Sequence, residues 1–204
     1  MALACPVVLD TEQLRGEVSN IYARVASNPD DNFHFHRGPA YAAEFLGYDV
    51  QELAALPREA TASFAGVGNP HAIAAVRPGE TVVDIGCGAG MDLLLAARRT
   101  GPQGKAIGVD MSDAMIERAS RAARLAALNN VELRKGDATD LPLADASVDV
   151  IISNGVLNLV PEKENAFREI VRILRPGGRL QIADIVVEKE LSEDIRSNVE
   201  LWTG

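Results

Sequence analysis

The sequence has few cysteines and no long apolar run, and each scarcity excludes a class of protein. Two cysteines among 204 residues cannot build a disulfide framework, and they fit a reducing compartment. No apolar run approaches the ~20 residues that a helix needs to cross a bilayer. The weakly apolar start, residues 1–10, lacks the cationic flank of a signal peptide. We therefore predict a soluble, cytoplasmic protein with no membrane partner.

Basic residues are also scarce. Lys and Arg number 20 against 29 Asp and Glu, which gives a net charge of -9. No basic surplus is left to neutralise phosphates, so nucleic acid is not expected as a partner. The apolar fraction of 47% is typical of a globular protein, and the length predicts one domain with an appendage.

The pattern of predicted secondary structure changes near Asn69. Residues 1–69 predict an N-terminal helical appendage, which begins with an amphipathic helix at 11–26. Residues 70–204 alternate between strand and helix patterns. Strands are predicted at 81–85, 105–110, 131–134, 148–153 and 179–187, and helices at 91–99, 113–128, 161–174 and 190–202. This alternation indicates an α/β fold with a doubly wound, mostly parallel sheet, whose ligand site lies at the carboxyl ends of the strands.

A glycine-rich turn follows the first strand in the segment Val-Val-Asp-Ile-Gly-Cys-Gly-Ala-Gly. Three glycines at alternate positions, Gly86, Gly88 and Gly90, suit a tight turn at which a ligand approaches the backbone. The dinucleotide pattern G-x-G-x-x-G would need its third glycine at Met91, so the spacing does not match. Asp84 places a negative charge beside the turn, which disfavours a pyrophosphate and suits a cationic ligand. The pattern therefore favours S-adenosylmethionine over a nicotinamide dinucleotide.

Further acids follow the next two strands. Asp110 ends the second strand, where a carboxylate can accept hydrogen bonds from two ribose hydroxyls, and Met111 can pack on adenine. Asp137 follows the third strand, where it can accept from the adenine amino group. Each acid alone is also explained as a turn residue, but acids at three successive strand ends predict one binding site.

The segments VVDIGCGAG, IGVDMSDAM, KGDATDLPLADASVDVIISN and ILRPGGRL resemble the S-adenosylmethionine-dependent methyltransferases with a Rossmann-like fold. The segments VDVIISNGVLNLVPEK, FREIVRILRPGGRLQIADIV and ELWTG resemble the arsenite methyltransferase family more closely. The resemblance implies S-adenosylmethionine as cofactor and a small-molecule acceptor. It implies cofactor-binding roles for Asp84, Gly86, Cys87, Gly88, Gly90, Asp110, Met111, Asp137, Ala138 and Asn154. Among these, Asn154 would lie beneath the reactive methyl group, and Cys87 is also explained as a small packed residue.

The sequence departs from the arsenite methyltransferases at the positions where the resemblance implies arsenic-binding thiols. Val67 and Gly155 occupy two such positions, and the third would follow Gly204. Gly155 is thus a candidate for the acceptor site, but it brings no thiolate. We therefore expect a methyltransferase that does not use three thiolates to bind arsenic, and no catalytic residue is assigned.

Two histidines, His34 and His36, are candidate substrate-binding residues, and plain surface or packing positions are the alternative explanation. In an extended segment their side chains point to the same face, but only His71 remains as a third histidine, so no metal is predicted. The appendage is richer in aromatic residues than the rest of the chain. Those aromatic residues predict either ordinary packing or an apolar lid over the pocket.

Two further readings stay open: a non-catalytic module that binds S-adenosylmethionine, and a dinucleotide-dependent oxidoreductase. The chain stops after the helix predicted at 190–202, whereas the resemblance implies two more strands. Three explanations compete: a truncated chain, an edge strand completed by a homodimer, or a selenocysteine codon read as a stop. The gene sequence beyond codon 204 decides the third explanation, which a stop codon other than UGA would eliminate.

Overall fold

The computed structural model describes residues 11–28, 31, 33, 35–186 and 188. Four α-helices precede the sheet and three lie between its strands. In chain order the elements are α1 (Thr11–Ser27), α2 (Gly38–Leu46), α3 (Val50–Ala54), α4 (Arg58–Thr61), β1 (Thr81–Ile85), α5 (Met91–Thr100), β2 (Lys105–Asp110), α6 (Asp113–Leu125), β3 (Val131–Lys135), β4 (Val148–Asn154), α7 (Lys163–Ile173) and β5 (Leu174–Ala183). Short 3₁₀ helices lie at Pro70–Ala72 and Leu157–Leu159.

The five strands form one parallel sheet in the order β3-β2-β1-β4-β5. β1 is central: its Val83 pairs with Ile107 of β2 on one side and with Ile151 of β4 on the other. The chain reverses its direction of travel across the sheet between β1 and β4. This reversal opens a crevice at the carboxyl ends of the strands, where doubly wound folds bind ligands. The predicted fold class is confirmed.

The central strands are apolar on both faces because helices cover both sides of the sheet. Alternate residues of β1 point to opposite faces. Val82 joins a core that includes Leu93 and Leu94 of α5, whereas Val83 joins a core that includes Ile170 of α7. Because β1 and β2 are buried on both faces, their sequences are continuous apolar runs, and these runs predicted the two strands.

The appendage packs against the face that carries α5 and α6. Its residues Ala42, Leu53 and Leu56 are buried in the same core as α5. The guanidinium group of Arg118, on α6, donates to the backbone carbonyls of Glu59 and Ala26. The division of the chain at residue 69 into two domains stays a prediction.

The predicted boundaries of α6 and β5 differ from the structure. α6 ends at Leu125 rather than at residue 128, since Ala127 adopts a positive φ of 51° that a helix cannot contain. β5 begins at Leu174 rather than Arg179, and its register against β4 is irregular near Val148. The helix predicted at 190–202 lies outside the described residues. No helix in the described part of the chain has the length and apolarity that a membrane span requires.

Candidate cofactor and acceptor site

A cavity opens at the carboxyl ends of the strands. Its empty volume is about 1190 Å³, part of which is open to solvent. Nearly all the residues proposed from the sequence line it: Asp84, Gly86, Cys87, Gly88, Asp110, Met111, Asp137, Ala138, Asn154 and Gly155. Gly90 is not among the lining residues. It begins α5 with a φ of 94°, and a Cβ placed there would lie 3.1 Å from Leu94 Cδ1. Gly90 therefore shapes the turn, and its contact with a ligand stays a prediction.

The glycine turn holds its shape through backbone bonds to β2. The amides of Gly86 and Cys87 both donate to the carbonyl oxygen of Val109. Gly86 has a φ of 71°, and a Cβ there would lie 2.3 Å from Val156 Cγ2. Gly88 has a φ of 51° and open space around the position of a Cβ. The absence of a side chain thus allows Val156 to pack closely against Gly86, and it leaves the backbone of Gly88 accessible.

Asp110 links the end of β2 to this turn. Its Oδ2 accepts from the Gly88 amide at 2.8 Å, and its Oδ1 accepts from the Ser112 amide at 2.9 Å. Burial nevertheless raises the pKa of the Asp110 carboxyl. The Met111 amide also bonds to this carboxyl. A carboxylate has about four acceptor positions, so the group keeps acceptor capacity for ribose.

Asp84 lies in β1 beside two other carboxylates of the cavity, Asp92 and Asp110. Burial raises the pKa of Asp84 well above its usual value, and the charges of Asp92 and Asp110 raise it further. A bound cation would relieve this repulsion, whereas a bound pyrophosphate would increase it. The carboxylates therefore fit a positively charged ligand.

Arg15 spans the far end of the cavity, which was not foreseen from the sequence. Its Nη2 donates to Glu162 Oε2 at 3.0 Å and lies 3.6 Å from Asp137 Oδ2. The other oxygen of Asp137 accepts from the amide and the hydroxyl of Thr139. Helix α1 thus lies over the end of the cavity where the sequence predicts adenine.

The side chain of Asn154 is already engaged within the protein. Its Oδ1 accepts from the Val67 amide at 2.8 Å, while its Nδ2 donates to the Gly68 carbonyl at 2.8 Å and to Asp92 Oδ2 at 3.0 Å. Asn154 lines the cavity as predicted, but its side-chain amide bonds to other parts of the protein. It joins β4, α5 and the turn that contains Val67.

Tyr48 and His71 complete this buried polar group, and neither was found from the sequence. The Tyr48 hydroxyl donates to Asp92 Oδ1 at 2.7 Å and accepts from Asn154 Nδ2 at 3.1 Å. His71 Nε2 lies 3.3 Å from the same Asp92 oxygen. Burial and the neighbouring Asp92 charge raise the pKa of Tyr48, so its hydroxyl stays protonated and serves as a donor.

Val67 and Gly155 lie next to each other. A Cβ placed on Gly155, whose φ is 68°, would lie 3.3 Å from Val67 Cγ1. The two positions to which the resemblance assigns thiols are therefore neighbours in the structure, and this chain has an apolar residue at each. Cys87 lies elsewhere and is buried. Burial raises the pKa of its thiol well above the usual value, which suits a packed residue rather than a nucleophile.

His36, one of the two histidines expected to meet the substrate, does not line the cavity. It stacks on Tyr41, with ring centroids 5.3 Å apart. His34 lies outside the described residues. Of the aromatic residues of the appendage, Tyr22 and Phe64 line the cavity. Within the described ranges no group of three or more His, Cys, Asp or Glu side chains is arranged to hold a metal.

Comparison with known proteins places this geometry in a family. Residues 77–204 match the family model described as "Methyltransferase domain". The chain belongs to this family. Within the family it is close to the S-adenosylmethionine-dependent methyltransferases that act on arsenite. An arsenite methyltransferase of Halobacterium salinarum is 46% identical over 165 residues, which are 81% of this chain and 42% of that protein.

Solved structures extend the comparison. An arsenic(III) S-adenosylmethionine methyltransferase from Chlamydomonas reinhardtii matches with a TM-score of 0.61 and 36% identity, over 66% of this chain and 47% of that one. The [4+2]-cyclase SpnF matches with a TM-score of 0.61 and 25% identity, over 88% and 62% of the two chains. This chain spans less than half the length of the first curated relatives that it matches.

S-adenosylmethionine is the cofactor that the family implies, and the cavity fits it on independent grounds. The carboxylates suit a cation, Asp110 suits a ribose, and Gly88 leaves its backbone open to a ligand. The family match does not support the dinucleotide-dependent oxidoreductase that the sequence left open.

Proposed function

We propose that this chain binds S-adenosylmethionine and transfers its methyl group to a small acceptor that enters beside Gly155. One observation carries the proposal. A glycine turn and carboxylates from separate elements meet in one cavity at the point where the strand order reverses. In the proposed arrangement Asp137 and Ala138 hold adenine, Asp110 holds ribose, and the turn at Gly86–Gly88 holds the methionine part.

The residues of the chain contribute placement and electrostatics. When bound, S-adenosylmethionine supplies an electrophilic methyl group on a positively charged sulfur. Asp84 and Asp92 favour that charge, and Val156 and Leu159 present apolar surface that limits water near it. Transfer from an activated donor requires alignment and exclusion of water more than a protein nucleophile, so no Ser, Cys or His nucleophile is needed.

The acceptor end supports a substrate that is not bound through thiolates. Gly155 lines the cavity and Val67 lies beside it, so neither position offers a thiolate. Among the described residues that line the cavity, the charged ones besides Arg15 are acids. A neutral or cationic acceptor fits this surface better than an anion. The proposal also includes a cytoplasmic setting, which the low cysteine content supports.

The proposal is tested first by calorimetry. We expect S-adenosylmethionine and S-adenosylhomocysteine to bind one site, and NAD to show no binding. A folded protein that binds neither S-adenosyl compound contradicts the proposal.

Transfer is tested next, with S-adenosylmethionine labelled in its methyl group. The acceptor panel holds small amines, thiols and phenols, with arsenite plus a reducing thiol as a further member. A labelled product from a member of the panel other than arsenite supports the proposal, whereas labelled methylarsenic contradicts the expectation of an acceptor that is not bound through thiolates. Tight cofactor binding with no labelled product favours the non-catalytic module.

A further inference from the structure

We infer that the hydroxyl group of Ser63 binds the carboxylate of the methionine part of the cofactor. The inference rests on the proposed function, and it assigns a role to a residue that no sequence motif marks. Ser63 follows α4, lines the cavity and is 5% exposed. Its Oγ is buried and has no hydrogen-bond partner among the described residues.

A buried hydroxyl without a partner is unusual in this protein. The other buried serines are Ser112 and Ser153 among the residues that the structure describes. Ser112 Oγ accepts from the Met115 amide, and Ser153 Oγ donates to the Ile85 carbonyl. An unpaired buried hydroxyl costs free energy, and at a cavity wall a ligand can supply the missing partner. Ser63 is therefore set apart by its environment rather than by its residue type.

The order of the strands indicates which part of the cofactor Ser63 meets. Asp137 follows β3, Asp110 ends β2, and Asn154 ends β4, so the adenine, the ribose and the methionine part follow one another across the sheet in the proposed arrangement. Ser63 is three residues before Gly66, where a Cβ would lie 2.4 Å from Asn154 Nδ2. From this proximity along the chain we assign Ser63 to the methionine end of the cavity.

Charge then selects the group that Ser63 binds. The methionine part carries an ammonium group and a carboxylate. Asp84 and Asp92 suit the ammonium and repel the carboxylate, which needs a donor. Arg15 is engaged with Glu162 at the other end, and the Asn154 amide is used within the protein. The Ser63 hydroxyl can donate one hydrogen bond without adding charge, and it can turn about χ1 to reach its acceptor.

The test compares ligands that differ in that carboxylate. Calorimetry measures the affinities of wild type and Ser63→Ala for S-adenosylmethionine, for its decarboxylated form and for 5′-methylthioadenosine, which lacks the amino acid part. We expect Ser63→Ala to weaken S-adenosylmethionine binding about tenfold and to leave the other two affinities within about twofold. Ser19→Ala, another cavity serine that lies on α1, is the matched control and should not change the ratio between S-adenosylmethionine and its decarboxylated form.

The outcomes separate the inference from the function on which it rests. If Ser63→Ala weakens all three ligands equally, or none, the role of Ser63 is overturned while the cofactor site stands. If wild type binds neither S-adenosylmethionine nor methylthioadenosine, the proposed function itself fails. Methylthioadenosine affinity also reports that the variant has folded. Should the alanine variant not fold, Ser63→Cys keeps the side-chain volume with a weak donor and provides the same comparison.

Discussion

At the residue scale, position 86 requires glycine for two reasons, its backbone conformation and its close neighbour. Its φ of 71° strains any residue with a Cβ, and that Cβ would also meet Val156 at 2.3 Å. For Gly86→Ala we expect a loss of about 1–2 kcal/mol from the backbone conformation and about 1–3 kcal/mol from the clash. Urea denaturation measures the sum as a change in the free energy of unfolding.

A matched pair of variants separates the two contributions at Gly86. Gly79 has a φ of 85° with nothing within 4 Å of a built Cβ, so Gly79→Ala reports the backbone strain alone. Adding Val156→Ala to Gly86→Ala should recover the part due to the clash. If Gly79→Ala costs as much as Gly86→Ala, the contact with Val156 is not what requires glycine.

Asp110 carries a second prediction at the same scale. Asp110→Asn keeps the size of the side chain but removes the charge that would hold two ribose hydroxyls. A charge-assisted hydrogen bond contributes about 1.5–3 kcal/mol, so we expect S-adenosylmethionine affinity to fall at least about tenfold in calorimetry. Asp113→Asn is the control, because Asp113 faces Lys135 on the surface. Equal losses in the two variants would refute a specific role for Asp110.

At the scale of elements, the buried group around Asp92 joins segments that are far apart in sequence. Tyr48 connects the appendage to α5, and Asn154 connects both to the end of β4. This junction fixes the turn at 66–68 beside Gly155. The position of the acceptor surface therefore depends on polar bonds as well as on apolar packing.

Tyr48→Phe tests that junction. The change removes the hydroxyl that donates to Asp92 and leaves a buried carboxylate short of one donor, which costs about 1–3 kcal/mol. We expect a lower free energy of unfolding in urea and faster amide hydrogen exchange at Val67 and Gly68. Tyr41→Phe is the control, since Tyr41 stacks on the exposed His36. Unchanged exchange at both amides would show that the turn does not need the tyrosine.

Elements differ in how well the sequence predicts them, and the reason is physical. β1 and β2 have the predicted bounds, because strands buried on both faces are read directly from their apolar runs. The end of α6 was missed because its helix-like pattern continues beyond Ala127, where only the backbone conformation changes. β5 was predicted to start late, since its first residues include Pro176 and two glycines that are typical of turns.

The same limit applies to the site. Asp84, Asp110 and Asp137 could be placed together from the sequence, because parallel strands bring their carboxyl ends to one edge. Tyr48 and Ser63 could not be assigned to the site in this way, because no sequence pattern near either residue relates it to β1 or β4. Tyr48 meets Asp92 across 44 positions of the chain. Contacts that depend on how the appendage packs on the sheet have no signature within either segment.

At the scale of the whole molecule, part of the excess of acidic side chains lies in the cavity. The net charge of the chain is -9. Among the described residues, the charged side chains that line the cavity are four carboxylates and one arginine: Asp84, Asp92, Asp110, Asp137 and Arg15. Burial raises the pKa values of both Asp84 and Asp110, and the charges of Asp92 and Asp110 raise the pKa of Asp84 further, so ionisation of these carboxyls is opposed inside the cavity. The molecule thus keeps an unfavourable charge arrangement that a cationic ligand can relieve.

This arrangement predicts a pH dependence of stability. A carboxyl group whose pKa is higher in the folded than in the unfolded protein binds more protons when folded. The contribution of Asp84 and Asp110 to the free energy of unfolding therefore falls as pH rises from about their usual value of 3.8 through their raised values. Glu80 and Glu169 have lowered pKa values and act in the opposite direction, so binding is a cleaner measurement than unfolding.

Binding of S-adenosylmethionine should therefore release protons from these carboxyls. Its positive sulfur favours their ionised form, so its affinity should rise with pH through the raised pKa values of Asp84 and Asp110. S-adenosylhomocysteine lacks the sulfur-bound methyl group and its positive charge but is otherwise identical, so its affinity should depend less on pH. Calorimetry in two buffers of different ionisation enthalpy counts the protons released. Equal proton release by the two ligands would mean that the carboxylates respond to occupancy of the cavity and not to the charge of the cofactor.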